Sequence, residues 1–367
     1  MRHESVQFLW KTPEAARDYR TGVCLHGHTL HSKECLSFLP RYLDYIPGAS
    51  LYIGSREKRE AFSRAWWTPP LPPAAALELE RAQIAALEQV PIVSLTDHDD
   101  IEAGMSLQVA HTREEAPVSV EWTVPYADSI FHLGIHNLPA GRERQWMAAL
   151  AGYTERPSES RLAELLESLS RIPDLLIVLN HPFWLEEGIT DAVHSIALRR
   201  ILRLNGQWMH ALELNGTRPW HENRDTIALA ADQAKPVISG GDRHAGEPAA
   251  CINLTNAASF AAFAAEVRDG HSTAAFLPHY RESMATRVLT AIWDILRPYP
   301  EYPGRERWTD RVFYQNEDGT VRPLSAVWQG GPPLPLRGAA YLVELFATTG
   351  LRSAIRLLAA DRAGIAL

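Results

Sequence analysis

Histidine and carboxylate side chains occur in short clusters, and each cluster stands at the end of an apolar run with the composition of a β-strand. In chain order the clusters contain His26 with His28, Asp97 with His98, Glu121, His132, His181, and Asp242 with His244. Imidazole and carboxylate groups without thiolates are typical ligands of zinc, manganese or iron. Because α/β folds place their working side chains at strand ends, we expect one multi-metal hydrolytic site.

The spacing within the clusters supports a shared site. Side chains alternate along a strand, so His26 and His28 lie on one face, and Asp242 and His244 repeat that geometry. Glu121 interrupts an apolar run, where a carboxylate is costly to bury unless it is paired or bound to metal. Other interpretations remain open for the Asp97 cluster, in which Asp97, Asp99 or Asp100 could cap a helix beginning near residue 101. They also remain open for His132, which could be a core histidine.

The elements that must position these residues are short strands alternating with amphipathic helices. Strands are predicted near 22–25, 92–95, 118–124, 130–135, 175–179, 211–214 and 236–239, and helical patterns near 74–89, 158–171, 225–233 and 282–296. This alternation favours a parallel sheet or barrel. The connection between 118–124 and 130–135 is too short for a helix, so this pair is predicted to be antiparallel or a distorted turn of the barrel.

Composition restricts the function class. The 367 residues are 46% hydrophobic and 22% charged, as in a globular protein whose core is large enough to fold without structural metal. The net charge of −8 disfavours a long nucleic-acid groove. Three cysteines, no signal-peptide pattern and no long uncharged apolar run predict a cytoplasmic protein with no membrane partner.

Two regions fall outside the strand and helix alternation. A long segment at about 35–90 interrupts the pattern after the first strand, and it is predicted to be a lid, a substrate-binding elaboration or a cover for one side of the barrel. Residues 281–367 form a predicted helical extension that packs on the barrel or on a second subunit, which would make a homo-oligomer. The predicted domains are therefore 1–280 and 281–367.

Taken in order, the clusters resemble the motifs of the PHP (polymerase and histidinol phosphatase) family of metal-dependent phosphoesterases. The matching segments are His26-Gly-His28-Thr29 with Ser32, Thr96-Asp97-His98, Glu121, His132-Leu-Gly134, His181-Pro182 and Gly241-Asp242-Arg-His244. The resemblance covers about residues 20–280. It implies an α/β fold, a distorted (β/α)7 TIM-like barrel, with two or three divalent ions at the C-terminal ends of its strands.

The resemblance also implies a ligand set. The first ion would be held by His26, His28, Glu121 and Asp242, and Glu121 would bridge to a second ion held with His132 and His181. His98 and His244 would contribute to a third ion.

The sequence departs from the family pattern at several places. Cys24 stands where the family has an aspartate, which removes an expected partner of an imidazole N–H. The third-metal ligand expected after Ser32 falls at Lys33 or Glu34, and only Glu34 could ligate, whereas Lys33 could contact phosphate. Gly241 replaces a serine, and Trp184 replaces a cation that often follows the His-Pro motif.

The predicted function is a phosphoesterase that hydrolyses a small phosphorylated metabolite or nucleotide by attack of a metal-bridging hydroxide. Arg243, Lys33 or Arg218 could neutralise phosphoryl charge, although strand alternation points Arg243 outward. Arg218 and His221 follow a predicted strand and could touch substrate. The alternatives are a 3′–5′ exonuclease or phosphodiesterase that acts on nucleic-acid ends, and a non-catalytic metal-binding assembly module.

Overall fold

The computed structural model describes residues 6–36 and 64–347. Its strands are β1 (Val6–Phe8), β2 (Thr21–Cys24), β3 (Glu34–Cys35), β4 (Ala65–Trp67), β5 (Val90–Val93), β6 (Val120–Tyr126), β7 (Ser129–His136), β8 (Leu176–Asn180), β9 (Ala211–Asn215), β10 (Val237–Gly240), β11 (Cys251–Thr255), β12 (Ala274–Phe276), β13 (Val312–Gln315) and β14 (Val321–Pro323). Its helices are α1 (Pro73–Ala85), α2 (Glu102–Leu107), α3 (Glu143–Glu155), α4 (Glu159–Ser170), α5 (Asp191–Asn205), α6 (Trp220–Asp232), α7 (Phe260–Arg268), α8 (Met284–Leu296), α9 (Leu324–Val327) and α10 (Leu334–Ala347).

Two five-stranded mixed sheets form the main body, so the α/β class is confirmed. One sheet has the order β1-β12-β11-β2-β5, in which β2 and β5 are parallel. The other has the order β10-β9-β8-β7-β6, parallel from β10 to β8 and antiparallel from β8 to β6. The predicted antiparallel pair is therefore observed, and Ala127 and Asp128 at its turn both have positive φ, as a two-residue hairpin of matching twist requires.

The two sheets meet at the ends of their strands through two isolated parallel bridges, Gly27 with Arg243 and His98 with Glu121. Backbone hydrogen bonds reinforce the first junction, since the Asp242 N–H donates to the His26 carbonyl at 2.9 Å. Within residues 6–36 and 64–347 no single sheet closes on itself, so the (β/α)7 barrel is not confirmed. Both bridges nevertheless bring the predicted ligand clusters to one place.

Apolar periodicity explains the elements around this junction. In α4, Leu162, Leu165, Leu166 and Leu169 recur at helical spacing and are buried against the second sheet, while Ser158 caps the first turn. Every residue of β8 is buried, because this strand has side chains packed on both faces. Within the described ranges, no helix combines the length and hydropathy that crossing a membrane requires.

The segment after β2 and the C-terminal region share a third sheet, of order β14-β13-β4-β3, which we call the accessory sheet. Its strands are antiparallel, with Glu34 and Val312 both paired to Trp67. Arg311 is buried and donates hydrogen bonds to the carbonyls of Arg305 and Ile295. The second bond connects the end of α8 to the residue that precedes β13. Residues 37–63 of the predicted insertion and 348–367 of the predicted extension lie outside the described residues. The predicted domain boundaries remain predictions.

Candidate metal centre

The nine residues predicted as metal ligands lie together at the junction of the two sheets. His26 and His28 follow β2, His98 follows β5, Glu121 and His132 lie on β6 and β7, His181 follows β8, Asp242 and His244 follow β10, and Glu34 begins β3. Their potential ligand atoms fall into overlapping groups of three with all atoms within 4.8 Å, and one further group contains Glu213. The geometry is therefore that of a candidate metal centre, and the individual ligand roles remain predictions.

Glu121 lies at the middle of the cluster, and its two carboxylate oxygens face different partners. Oε2 is 2.8 Å from Nε2 of His26 and 3.5 Å from Nε2 of His98. Oε1 is 3.0 Å from Nε2 of His181 and 3.5 Å from Nδ1 of His132. Burial alone would raise the pKa of this carboxyl, but the surrounding histidines hold it well below its usual range. Glu121 is thus an anion in contact with both sides of the cluster.

The cluster divides into two groups by exposure. The inner group contains His26, Glu121, His132 and His181, whose side chains are between 1% and 8% exposed. The rim group contains Glu34, Asp242, His98 and His244, whose side chains are between 10% and 22% exposed. His28 is fully buried between them, 3.4 Å from Glu121 and 3.3 Å from Asp242. Solvent therefore reaches the cluster from the rim side.

Glu34, and not Lys33, reaches the cluster. Its Oε2 is 3.3 Å from Nε2 of His244 and 3.6 Å from Nε2 of His98, and its Oε1 accepts a hydrogen bond of 2.6 Å from Ser32. Burial opposes the charge on His244, but Glu34 raises the pKa of that imidazole to about 10. Lys33 is exposed, with its Nζ 5.7 Å from the centroid of a ring of Trp66.

Glu213 is a buried carboxylate that the sequence analysis missed. Its Oε1 is 2.7 Å from Nδ1 of His26, and its Oε2 accepts the backbone N–H of His181 at 3.0 Å. It therefore provides the imidazole partner that Cys24 cannot provide. A Cβ at residue 240 would overlap this carboxylate, which explains the glycine there. The signal was present, because Glu213 interrupts an apolar strand as Glu121 does.

Neighbouring polar residues hold the ligands in place. The Oδ2 atom of Asp242 accepts hydrogen bonds from Thr217 at 2.9 Å and from Asn215 at 3.1 Å. Asp242 and His181 both have positive φ, a strained backbone that the surrounding contacts must enforce. Asn180 donates a hydrogen bond to Oε1 of Glu121 at 3.0 Å.

Asp97 does not face the cluster. Its carboxylate accepts the backbone N–H of Thr29 at 2.5 Å and its hydroxyl at 2.7 Å, and burial raises the pKa of Asp97 to about 7. Of the three aspartates that could cap α2, Asp100 and not Asp97 accepts the backbone N–H of Glu102, the first residue of the helix. Asp97 instead ties the loop after β2 to the end of β5.

The predicted role of Arg243 requires correction. Strand alternation directs its side chain away from the cluster, where it is buried with Nε 3.1 Å from Glu80 and Nη1 donating to Gln83 at 2.7 Å. We therefore assign Arg243 a structural contact and no role in binding phosphate. The guanidinium of Arg218 is paired with Glu222 at 2.8 and 3.0 Å, and His221 is exposed on the first turn of α6.

Comparisons with known proteins report distant structural likeness. No protein-family model matches the sequence, and no curated protein matches it either. PsfC from Pseudomonas syringae PB-5123 is similar with 15% identity and a TM-score of 0.42, over 71% of this chain and 93% of that one. A protein described as a metal-dependent phosphoesterase from Bifidobacterium adolescentis has 12% identity and a TM-score of 0.31, over 49% of this chain and 85% of that one. An amidohydrolase from Chromobacterium violaceum has 15% identity and a TM-score of 0.33, over 60% of this chain and 87% of that one. These scores do not assign the chain to a family.

Proposed function

We propose that this protein is a metal-dependent phosphoesterase that hydrolyses a small phosphorylated metabolite or nucleotide. The observation that carries the proposal is the position of Glu121, whose two oxygens each face a separate set of imidazole nitrogens. A carboxylate in this position can bridge two cations, which is the arrangement of two-metal hydrolytic sites. The ordered resemblance to PHP motifs selects phosphoric esters as the substrate class.

The residues present fit divalent cations. Nδ1 of His132 is buried and has no hydrogen-bond partner within the described residues, although it lies 3.5 Å from the Glu121 carboxylate. Such an atom is costly to bury unless a cation or a water binds it. The imidazole and carboxylate donors suit zinc, manganese or iron. One ion would be held by His26, His28, Glu121 and Asp242, a second by Glu121, His132 and His181, and a third by Glu34, His98 and His244.

When bound, the ions would supply an activated water and would stabilise charge on the phosphoryl oxygens. The chain itself fixes the imidazole tautomers that this requires. Glu213 accepts a hydrogen bond from the Nδ1–H group of His26, which leaves the Nε2 lone pair directed at the cluster. The Ser32 hydroxyl donates its hydrogen bond to Glu34, so the hydroxyl oxygen accepts one from Nδ1 of His28 at 3.2 Å. The Nε2 lone pair of His28 is then also free to face the cluster.

The arrangement of the strands supports a PHP-type barrel as part of the proposal. Seven strands pair in a continuous series, either through β-ladders or through the two isolated bridges. The series is β2, β5, β6, β7, β8, β9 and β10, and the bridge between Gly27 and Arg243 links the last strand to the first. Active sites of such folds lie at the C-terminal ends of the strands. His26, His98, His181 and Asp242 all follow the C-terminal ends of their strands.

The test is a hydrolysis assay on protein that is stripped with a chelator and reloaded with Mn²⁺ or Zn²⁺. The substrates are p-nitrophenyl phosphate, bis(p-nitrophenyl) phosphate and a single-stranded DNA oligonucleotide. We expect metal-dependent hydrolysis of the monoester, which the double variant His26→Ala/Asp242→Ala abolishes. Faster hydrolysis of the oligonucleotide would favour the exonuclease alternative. Metal-loaded protein that hydrolyses none of the three would contradict the proposal.

A further inference from the structure

The accessory sheet borders the rim group and contributes an aromatic side chain beside Glu34. In its register, Glu34 and Val312 both pair with Trp67, so these three side chains share one face of the sheet. The Glu34 carboxylate contacts His244, and a ring of Trp67 lies 5.7 Å from the imidazole of His244 at an interplanar angle of 36°. This face of the accessory sheet is therefore turned toward the metal centre.

The neighbouring residue on the same strand lies on the opposite face. Trp66 pairs with Cys35 and Phe313, and its ring stacks on Phe313 with centroids 5.9 Å apart and planes at 20°. The Lys33 ammonium also lies on that side, over Trp66. Two adjacent tryptophans of β4 thus have different surroundings, and only Trp67 borders the metal centre.

Trp67 borders the more exposed side of the cluster. The rim group is the more exposed part of the cluster, with His244 22% exposed against 1% for His26. The indole of Trp67 is partly exposed beside it, and the strand that carries it is paired on both sides, by β3 and β13. Trp184 lies beside the inner group instead of the rim group, and its ring stacks on His132 with centroids 5.0 Å apart.

We propose that Trp67 determines substrate specificity by packing against the organic group of the phosphate ester and favouring a planar ring there. The inference rests on the proposed function. A rigid indole offers a flat π-face, and aromatic pairs gain stabilisation beyond the apolar area that they bury. The phosphoryl group would lie at the cluster while the ring of the ester lies against Trp67. Because β13 belongs to the C-terminal region, that region would contribute to substrate choice.

The test compares benzyl phosphate with cyclohexylmethyl phosphate, two esters of primary alcohols that differ mainly in the planarity of the ring. For the metal-loaded full-length protein we expect kcat/KM to favour the benzyl ester by about threefold to tenfold. Trp67→Met should bring the ratio close to one, while Trp67→Phe retains most of it. Trp66→Met, on the other face of the same strand, should keep the wild-type ratio. If the unmodified protein has equal kcat/KM values for the two esters, the inference is overturned, and no variant is needed to show this.

A binding measurement separates this inference from the proposed function. Benzylphosphonate and cyclohexylmethylphosphonate cannot be hydrolysed as esters, and calorimetry gives their affinity for the metal-loaded protein. Tighter binding of the benzyl compound that is lost in Trp67→Met supports the inference even if no ester is hydrolysed, in which case only the phosphoesterase proposal fails. Equal binding of the two compounds, in a protein that does hydrolyse esters, contradicts the role of Trp67 and leaves the phosphoesterase proposal intact.

Discussion

The inner and rim groups of the candidate metal centre are built in different ways. The inner group lies on or directly after strands of the two main sheets, and its supports, Glu213 and Asn180, lie on those strands too. The rim group includes Glu34, which comes from the two-residue strand β3 of the accessory sheet. The main sheets thus carry the inner group, whereas the accessory sheet carries one predicted ligand, Glu34, and the wall next to it.

Because of this difference, we expect that metal binding and the choice of substrate can be altered separately. Changes within the inner group should remove metal and activity together, since each residue there contacts Glu121. Changes to Glu34, His98 or His244 in the rim group should affect the outer ion and the choice of substrate while the inner ions stay bound. Asp242 is the exception in this group, because it is a predicted ligand of the first ion. Substitutions in each group, with matched controls, test whether metal binding and substrate choice separate in this way.

The largest effect is expected for Glu121→Gln, which keeps the shape of the side chain and removes its charge. The variant should lose at least about a thousandfold in kcat/KM, because charge stabilisation by the ions amounts to several kcal/mol. Metal content, measured by elemental analysis, should fall below that of the unmodified protein. Full metal content together with full activity would show that Glu121 is not the bridge.

A smaller effect is expected for Glu34→Gln in the rim group. We expect at least about a hundredfold weaker binding of the outermost ion, while the inner ions remain, because only this carboxylate is lost. Metal titration of stripped protein should show one weakened step and the others unchanged. Loss of all bound metal would mean that the two groups form a single cooperative site, contrary to the division proposed here.

The inner group was accessible from the sequence because its residues follow short local patterns. Strand alternation places His26 and His28 on one face, and an acid within an apolar run marks Glu121. Glu213 carries the same mark but lies outside the family motifs, so it was overlooked. The accessory sheet could not be foreseen, since β4 pairs with a strand about 250 residues later in the chain and such pairing leaves no local signal.

Glu213→Gln tests whether support from outside the cluster matters. Losing the acceptor of His26 Nδ1 should weaken metal binding by about tenfold to a hundredfold, because such partners fix ligand orientation. Glu80→Gln is the matched control, since this buried carboxylate pairs with Arg243 away from the cluster. The control should lower the thermal midpoint without changing metal affinity. Equal metal affinity in both variants would assign Glu213 a purely structural role.

The pH dependence of metal binding should reflect the protons held by the metal-free cluster. Burial opposes their charge, but neighbouring carboxylates raise the pKa of His26 well above its usual range and that of His244 to about 10. Both imidazoles are therefore protonated near pH 7, and an incoming ion must displace these protons. Affinity should rise by up to about tenfold per pH unit for each proton released between pH 6 and 9. Calorimetry in buffers of different ionisation enthalpy measures this release, and a pH-independent affinity would contradict it.

The most direct test of the account is anomalous diffraction from crystals of the protein loaded with Zn²⁺ or Mn²⁺, with data collected on both sides of the metal absorption edge. We expect two peaks on opposite sides of the Glu121 carboxylate, one next to His26 and His28 and one next to His132 and His181. A loaded protein that shows no peak within reach of Glu121, or a single peak that does not contact it, would contradict the bridging role of Glu121.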